Sequence, residues 1–305
     1  MSASMTPCDF RVTLLGTGVP TPRPDRFGPS TLVQAGDQTL LIDAGRGATI
    51  RLYQLGVPMG WVDALLLTHY HSDHTVGIPD FWLTGWLQSH YAQRSAPLRV
   101  IGPTGAKNLM SNLEKAYAAD IKIRIADEKL PPQGVALAVE EFAADGVVYE
   151  KNGVKVTAFE VDHGDVIKPA YGYRIDYGGR AAVISGDTRY NENVVKYSAG
   201  ADLLVHEVAI ARPELMSEAF IQRIMAHHTT AREAGLVFSR TKPKLAAYTH
   251  LVFLASQKIP PATLDDLVAE TRQTYGGPLE IGEDLMSFEI GEEVVVRRGE
   301  ETKAV

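Results

Sequence analysis

The sequence predicts an α/β fold, and three observations support that prediction. Strand-like and helix-like stretches alternate along the chain, which is typical of a layered α/β domain. No repeat and no low-complexity linker divides the 305 residues. Hydrophobic residues make up 45% of the chain, which is enough to bury a sizeable core. We therefore expect one domain spanning residues 1–305.

In the first half of the chain, apolar runs predict strands at residues 10–15, 30–33, 38–42, 62–68 and 98–101. Gly36-Asp37 closes a hairpin between the second and third of these strands. Apolar residues at helical spacing predict helices over residues 48–55, 78–91 and 104–119. The more strictly alternating stretch 122–161 is expected to form edge strands.

The second half repeats this order of elements. Residues 171–176 and 181–185 predict a hairpin that turns at Gly178-Gly179. Further strands are predicted at residues 201–205, 245–248 and 286–297. Helices are predicted at residues 214–225, 231–238 and 264–275. Two halves built of strands followed by helices suggest two sheets sandwiched between helices.

Charge and cysteine content narrow the class of protein. Acidic residues outnumber basic residues by 37 to 30, which gives a formal net charge of −7. Such a chain repels polyanions on average, so broad nucleic-acid binding requires a local basic patch. Cys8 is the only cysteine, so no internal disulfide and no thiolate metal site can form. We find no secretory signal and no apolar run long enough to cross a bilayer, and we expect a cytoplasmic protein without a membrane partner.

The most informative segment is the run Thr-His-Tyr-His-Ser-Asp-His at residues 68–74. Residues two apart on an extended chain project to the same side, so His69 and His71 can bind one cation together. The chain then turns, and Asp73 and His74 can face a second cation. Neutral imidazoles and carboxylates suit zinc and other borderline divalent ions. The alternative, a histidine-rich surface loop, must explain why three of only nine histidines fall in this window.

This His-x-His-x-Asp-His run resembles the signature of the metallo-β-lactamase superfamily of hydrolases. Other segments resemble the superfamily's motifs in the same order, namely residues 15–18, 41–45, 161–164, 185–188 and 247–251. The resemblance spans roughly residues 10–252. It implies a four-layer αββα sandwich of the metallo-β-lactamase type.

The resemblance also implies a site for two divalent metal ions, with Zn²⁺ favoured and Mn²⁺ or Fe²⁺ as alternatives. The implied ligands are His69, His71 and His163 for the first ion, Asp73, His74 and His250 for the second, and Asp187 as a bridge between them. Asp73 would also hold or deprotonate a metal-bridging hydroxide that acts as the nucleophile. For His163 and His250 the alternative is a structural histidine, and for Asp187 it is the cap of a turn.

Two further segments resemble motifs of ribonuclease Z and its relatives, namely residues 203–207 and 228–235. By this resemblance, His228 stabilises developing charge or protonates the leaving oxygen, and Glu207 orients its imidazole. The alternative is that His227 and His228 cap the helix that begins near residue 230. We take His90 and His227 as structural, and His206 as structural or bonded to a ligand carboxylate.

One departure from that branch bears on the substrate. In transfer-RNA-processing members of the branch, a protruding arm that binds the RNA is commonly inserted between the third histidine motif and the bridging aspartate, which correspond to His163 and Asp187. Here only 23 residues separate His163 from Asp187, and the predicted hairpin fills them. From this and the net negative charge, we expect transfer RNA not to be the substrate.

We therefore predict a zinc-dependent hydrolase, and first a phosphodiesterase for a small or nucleotide-like substrate. The alternatives are hydrolysis of an aryl sulfate, aryl ester or lactone and, third, a transfer-RNA 3′-processing endonuclease. Phe81, Trp82 and Trp86 either border the pocket, which favours an aromatic substrate, or belong to the core. A redox relative and a non-catalytic scaffold are disfavoured because all seven candidate ligand positions are filled. Homodimerisation stays open.

Overall fold

The computed structural model describes residues 9–299, and Cys8 lies outside this range. Within it the strands are β1 (Phe10–Gly16), β2 (Ser30–Ala35), β3 (Gln38–Ile42), β4 (Ala64–Leu66), β5 (Leu98–Pro103), β6 (Leu137–Phe142), β7 (Gly146–Lys151), β8 (Val154–Glu160), β9 (Tyr171–Tyr177), β10 (Arg180–Ile184), β11 (Leu203–Ile210), β12 (Leu245–Phe253), β13 (Leu279–Ile281), β14 (Ser287–Ile290) and β15 (Val294–Arg297).

The helices of the same range are α1 (Ala48–Gln54), α2 (Ser72–Thr75), α3 (Ile78–Thr84), α4 (Ala106–Ala116), α5 (Ala118–Ala126), α6 (Pro132–Val135), α7 (Glu192–Tyr197), α8 (Ala219–Met225), α9 (Ala231–Thr241) and α10 (Leu264–Arg272). Short 3₁₀ helices lie at Met59–Trp61 and Pro213–Leu215. Between residues 9 and 299, no helix has the length and apolar character needed to span a membrane.

The described strands form two mixed sheets. The first has the order β15-β14-β1-β2-β3-β4-β5-β6, and the second β13-β12-β11-β10-β9-β8-β7. The inner faces of both sheets share one apolar core, in which Val12 and Val33 of the first sheet belong to the same cluster as Tyr173 and Val205 of the second. This arrangement confirms the predicted pair of packed sheets.

Helices cover the outer face of each sheet. Leu65 of β4 packs in one outer cluster with Trp82 of α3 and Met110 of α4. On the other side, Leu204 of β11 packs with Phe238 of α9. The layers therefore run helix, sheet, sheet, helix, as the predicted αββα sandwich requires.

The topology brings several strand ends to one edge of the sandwich. In the second sheet β10, β11, β12 and β13 run parallel, and β8 points the same way because two antiparallel pairings separate it from β10. The backbone N–H of Tyr171, at the start of β9, donates to the carbonyl oxygen of Thr68, which follows β4, at 3.0 Å. The carboxyl ends of β4 and of these second-sheet strands therefore meet at the same edge.

Several predicted elements differ from the structure. The helix predicted at 214–225 is a 3₁₀ turn at Pro213–Leu215 followed by α8, which begins at Ala219. The strand predicted at 286–297 is the antiparallel pair β14 and β15. The helix predicted at 78–91 ends at Thr84, because the chain turns back at Gly85, whose carbonyl oxygen accepts the Arg94 N–H at 2.9 Å. The helix predicted at 104–119 divides at Tyr117 into α4 and α5. Residues 122–126, expected in edge strands, belong to α5, where Ile121 and Ile125 pack on the core at helical spacing. Strands β6 and β7, predicted as edge strands, do lie at sheet edges.

Candidate metal centre

The first sheet supplies four of the predicted site residues. The chain leaves β4 at Leu66, passes His69 and His71 in an irregular segment, and enters the short helix α2. Helix α2 buries Asp73 and His74. His69 is buried as well, whereas His71 is exposed. The cluster is therefore buried except at His71, which lies on its open side.

The second sheet supplies the other three. His163 follows β8, Asp187 follows β10, and His250 lies within β12. All three are at most 3% exposed. Although far apart in sequence, these residues meet the histidines of the first sheet at the shared edge of the sandwich.

Two sets of donor atoms result, and Asp187 lies between them. In the first set, Nδ1 of His71 is 3.0 Å from Nε2 of His69 and 3.2 Å from Nε2 of His163. Oδ2 of Asp187 lies 3.7 Å from that His163 nitrogen.

In the second set, Nε2 of His250 lies 3.3 Å from Oδ2 of Asp73 and 3.2 Å from Oδ2 of Asp187. Nε2 of His74 is 3.3 Å from the same Asp187 oxygen. The ligand atoms within each set lie within 4.8 Å of one another.

This donor set fits a pair of divalent ions. A tetrahedral zinc ion with ligands about 2.0–2.1 Å away holds its ligand atoms roughly 3.3 Å apart. The donor atoms here lie between 3.0 Å and 3.9 Å apart in the pairs that approach most closely, which brackets that distance. Imidazole nitrogens and carboxylate oxygens are ligands that zinc, iron and manganese accept.

The charge states of three of the buried groups agree with that fit. Burial lowers the pKa of His69 well below its usual value and lowers the pKa of His163 to about 4, so both imidazoles offer a lone pair at neutral pH. Burial alone would raise the pKa of Asp187, but the charges of His250 and His74 hold it well below its usual value. The shared carboxylate is therefore anionic.

Asp43 belongs to the site although the sequence analysis gave it no role there. Its Oδ2 lies 2.7 Å from Nδ1 of His74, and its Oδ1 accepts the backbone N–H of Thr68 at 2.8 Å. The Thr68 hydroxyl donates to Asp43 at 2.6 Å and lies 3.0 Å from Nδ1 of His69. One carboxylate thus orients two histidine rings. The sequence signal was a carboxylate directly after a buried strand. In the structure Asp43 has a φ of 58°, a left-handed conformation that non-glycine residues seldom adopt.

His228 and Glu207 form the pair that the motifs suggested. Nδ1 of His228 lies 3.2 Å from Oε2 of Glu207. The other oxygen of Glu207 accepts the backbone N–H groups of Thr188 at 3.1 Å and Thr229 at 3.0 Å. Burial lowers the pKa of His228, but the charge of Glu207 outweighs it and raises the pKa to about 9.

The His228 ring also lies over both donor sets. Its centroid is 5.5 Å from that of His250, in a stacked arrangement, and 5.1 Å from that of His163. A third set of donor atoms, from Asp187, His228 and His250, lies within 4.8 Å as well. His228 is therefore close enough to act on a group bound at the site.

The remaining histidines have structural surroundings. The backbone carbonyl oxygen of His227 lies 2.9 Å from Nδ1 of His163 and so orients that ring. His206 is fully buried edge-on to Phe238, and its Nδ1 contacts the Glu207 carbonyl oxygen at 2.6 Å. His90 packs beside Tyr53 and Tyr91.

The aromatic residues of α3 do not border the site. Phe81, Trp82 and Trp86 are at most 1% exposed and belong to the outer core between α3 and the first sheet. The suggestion that they form a pocket wall is wrong. Instead, a groove of about 360 Å³ opens beside Leu251, the residue after His250, and its lining includes Arg23, Arg26 and Phe253.

A four-layer sandwich with histidines and aspartates gathered at one edge is the arrangement of a metal-dependent enzyme of the metallo-β-lactamase fold, and the relatives identify the class as a hydrolase. Residues 38–251 match the family described as "Beta-lactamase superfamily domain". The chain is 37% identical to Ribonuclease Z of Mycobacterium marinum over 289 residues, which cover 92% of this chain and 99% of that protein. Ribonuclease Z of Mycolicibacterium gilvum is 38% identical over 92% of this chain and 96% of its own length. The chain therefore belongs to the metallo-β-lactamase superfamily, in its ribonuclease Z-like branch.

Solved structures share the fold. Human tRNase Z, short form, superposes with a TM-score of 0.68 at 21% identity, over 91% of this chain and 98% of that one. The metallo-beta-lactamase fold protein YhfI from Bacillus subtilis gives the same TM-score at 23% identity over the same shares of both chains.

These relatives correct one expectation. We inferred from the short segment between His163 and Asp187 that transfer RNA is not the substrate. Proteins named Ribonuclease Z align with this chain almost end to end, which leaves no room in them for a large insertion either. The missing arm therefore does not separate this chain from them, and the inference against transfer RNA is wrong.

Proposed function

We propose that this chain is a dinuclear metal-dependent phosphodiesterase that processes the 3′ side of precursor transfer RNA. The observation that carries the chemistry is the pair of donor sets joined at Asp187, with His228 stacked over them. The relatives named Ribonuclease Z support the RNA substrate. Because both sheets contribute to the site, we treat residues 1–305 as one domain.

The proposed ligands follow the two donor sets. His69, His71 and His163 would hold the first ion, Asp73, His74 and His250 would hold the second, and the carboxylate of Asp187 would serve both. Zn²⁺ suits these donors best, and Mn²⁺ or Fe²⁺ are accepted alternatives. When bound, such ions supply Lewis acidity toward a phosphoryl oxygen and a nucleophile at neutral pH.

Two side chains move protons in this proposal. Asp73, whose carboxylate faces His250, accepts the proton of the attacking water in addition to its role as a ligand. His228 carries a proton on its imidazole and gives it to the leaving oxygen as the phosphorus–oxygen bond breaks. Glu207 holds His228 in place, and its negative charge stabilises the protonated ring.

RNA is favoured over the alternatives by the relatives named Ribonuclease Z and not by the charge of the groove beside Leu251. Arg23 and Arg26 line that groove, but Asp25 of the same lining pairs with Arg23 at 2.6 Å, and Arg26 donates to the carbonyl oxygen of Gly282 at 2.7 Å. The same chemistry could act on an aryl sulfate, aryl ester or lactone, but the preference for an aryl group rested on an aromatic pocket wall, and the aromatic residues concerned are buried in the core.

The test compares substrates on purified, metal-loaded protein. We expect precursor transfer RNA at submicromolar concentration to be cut at one position on its 3′ side, with Asp187→Ala as the inactive control. All reactions are run at one ionic strength near the physiological value, because phosphate-backbone affinity depends steeply on salt. Turnover of bis-aryl phosphate without any cut in the RNA would contradict the RNA substrate. Turnover of neither substrate would contradict the phosphodiesterase.

A further inference from the structure

The ligand His250 has an unusual backbone. In the pairing of β12 with β11, Thr249 lies opposite Glu207 and Leu251 lies opposite Val208. His250 is thus an extra, unpaired residue, the mark of a β-bulge. Its φ is 44°, a left-handed conformation that L-residues rarely adopt. The bulge takes the His250 side chain out of the strand's alternation, and the conformation has to be held by neighbouring groups.

One main-chain contact holds the residue that follows the bulge. The backbone N–H of Leu251 donates to the carbonyl oxygen of Thr17 at 3.0 Å. Thr17 is fully buried in the turn after β1. Its own backbone N–H and its hydroxyl both donate to Oδ1 of Asp284, at 2.9 Å and 2.8 Å. Thr17 therefore links Asp284 to the bulge.

The carboxylate of Asp284 accepts two hydrogen bonds at each of its oxygens. Its other oxygen accepts the Phe27 backbone N–H at 2.7 Å and Nη2 of Arg51 at 2.9 Å, and its side chain is 4% exposed. Four donors thus meet at one buried carboxylate, which joins the turn after β1, the start of β2 and helix α1.

The loop between β13 and β14, which carries Asp284, also contacts β12 before the bulge. The backbone N–H of Gly282 donates to the carbonyl oxygen of Tyr248 at 2.9 Å. Only glycine allows this approach, because a Cβ at position 282 would lie 2.1 Å from that oxygen. The Asp284 loop therefore braces β12 on both sides of His250, directly at Tyr248 and through Thr17 at Leu251.

We propose that Asp284 is a positioning residue for the metal centre, which holds His250 in its left-handed bulge through Thr17. This inference rests on the proposed role of His250 as a ligand. It predicts that loss of the Asp284 carboxylate lowers the affinity for the ion bound by Asp73, His74 and His250. The ion bound by His69, His71 and His163 keeps its affinity.

The test is Asp284→Asn. Four N–H and O–H donors converge on the carboxylate, and an amide can accept them on only one of its two arms. We measure binding of Co²⁺ to metal-free protein by calorimetry and by the visible absorption of the bound ion. The wild type is expected to bind two ions. In the variant, the second ion should bind ~10–100-fold more weakly with an altered absorption band, because groups that orient a ligand typically have effects of this size.

Asp202→Asn is the matched control. Asp202 is also buried and accepts a backbone N–H, that of Ala181 at 2.7 Å, but it lies at the amino-terminal end of β11, away from the site. We expect the affinities for both ions to be the same in Asp202→Asn as in the wild type. If the Asp284 variant does not fold, Thr17→Val is measured instead. It removes the hydroxyl contact with Asp284 at similar side-chain volume and should lower the affinity for the same ion.

The possible outcomes distinguish failure of the proposed function from failure of the proposed role of Asp284. A wild type that binds fewer than two ions would overturn the proposed function together with this inference. A wild type that binds two ions, with Asp284→Asn or Thr17→Val binding both at wild-type affinity and with the same absorption, would overturn this inference alone.

Discussion

Asp43 and His74 form a buried contact in which a carboxylate oxygen lies 2.7 Å from Nδ1 of the imidazole. The contact leaves Nε2 of His74 to face Asp187. A carboxylate that fixes the tautomer and the orientation of a ligating histidine strengthens the ligand. In the metal-free protein, burial lowers the pKa of His74, but Asp187 and Asp43 together hold it well above its usual value, so a metal ion has to displace a proton from this ring.

Asp43→Asn should therefore weaken metal binding without removing any proposed ligand. We expect the affinity of the ion bound by His74 to fall ~10–100-fold. The effect is measured by metal titration of the metal-free protein. An unchanged affinity would show that Asp43 serves only the backbone of Thr68. Asp63→Asn, which changes an aspartate that accepts the Thr39 backbone N–H away from the site, is the control.

Asp187→Ala should remove more activity than His228→Ala. The first change takes away the one carboxylate common to both donor sets, so we expect loss of bound metal as well as of hydrolysis. The second removes a group that assists a single proton transfer, an effect typically of ~10²–10⁴-fold. Metal analysis of both variants accompanies the rates. Loss of both metals from His228→Ala would mean that His228 is a ligand.

Trp82→Ala should lower stability and leave substrate binding alone. Trp82 is fully buried, and its ring N–H donates to the Val135 carbonyl oxygen at 2.9 Å. Removing a buried tryptophan side chain typically costs ~3–5 kcal/mol in the free energy of unfolding. Denaturant unfolding measures that loss, while KM for the RNA should stay constant. Trp61→Ala is the control, since Trp61 is 71% exposed and its loss should change stability little.

His206 should make the protein less stable in mild acid. Burial lowers the pKa of this fully enclosed imidazole below its usual 6.5. As the pH falls below about 6.5, the unfolded chain takes up a proton at this position before the folded protein does, so the contribution of His206 to stability is full above that pH and declines below it. The slope reaches about 1.4 kcal/mol per pH unit for one group.

The measurement is urea unfolding of the metal-free protein at several pH values between about 8 and about 5.5. His206→Phe should lose stability less steeply with falling pH than the wild type. Identical slopes for the two proteins would contradict the assignment.

Local patterns predicted the strands and the hairpins well, because each is set by neighbouring residues. The turn at Gly178-Gly179 needs two residues at positive φ, here 56° and 75°, and glycine accepts both at little cost. The end of α3 could not be predicted in this way. It depends on Arg94, which pairs with Gly85 only after the following loop has folded back.

The residues of the site likewise fall into those that the local sequence predicts and those that depend on contacts between distant segments. The residues between His69 and His74 are close in sequence, so their spacing alone indicated a cation site. The contacts of Asp43 and Asp284 join segments distant in sequence, and neither residue lies in a run of metal-binding types. The bulge at His250 exists only in the pairing of β11 with β12, which no local pattern encodes.

The division of the proposed ligands between the two sheets sets an order of events during synthesis. Asp73 and His250 are 177 residues apart. A ribosome adds roughly 5–20 residues per second, so Asp73 is made about 10–35 s before its partner. Throughout that interval the nascent chain lacks His250, and until residue 187 is made the histidine cluster also lacks the Asp187 carboxylate. Stable loading of two ions is therefore a late step, which follows completion of β12, and a chain that terminates early is released without hydrolytic capacity.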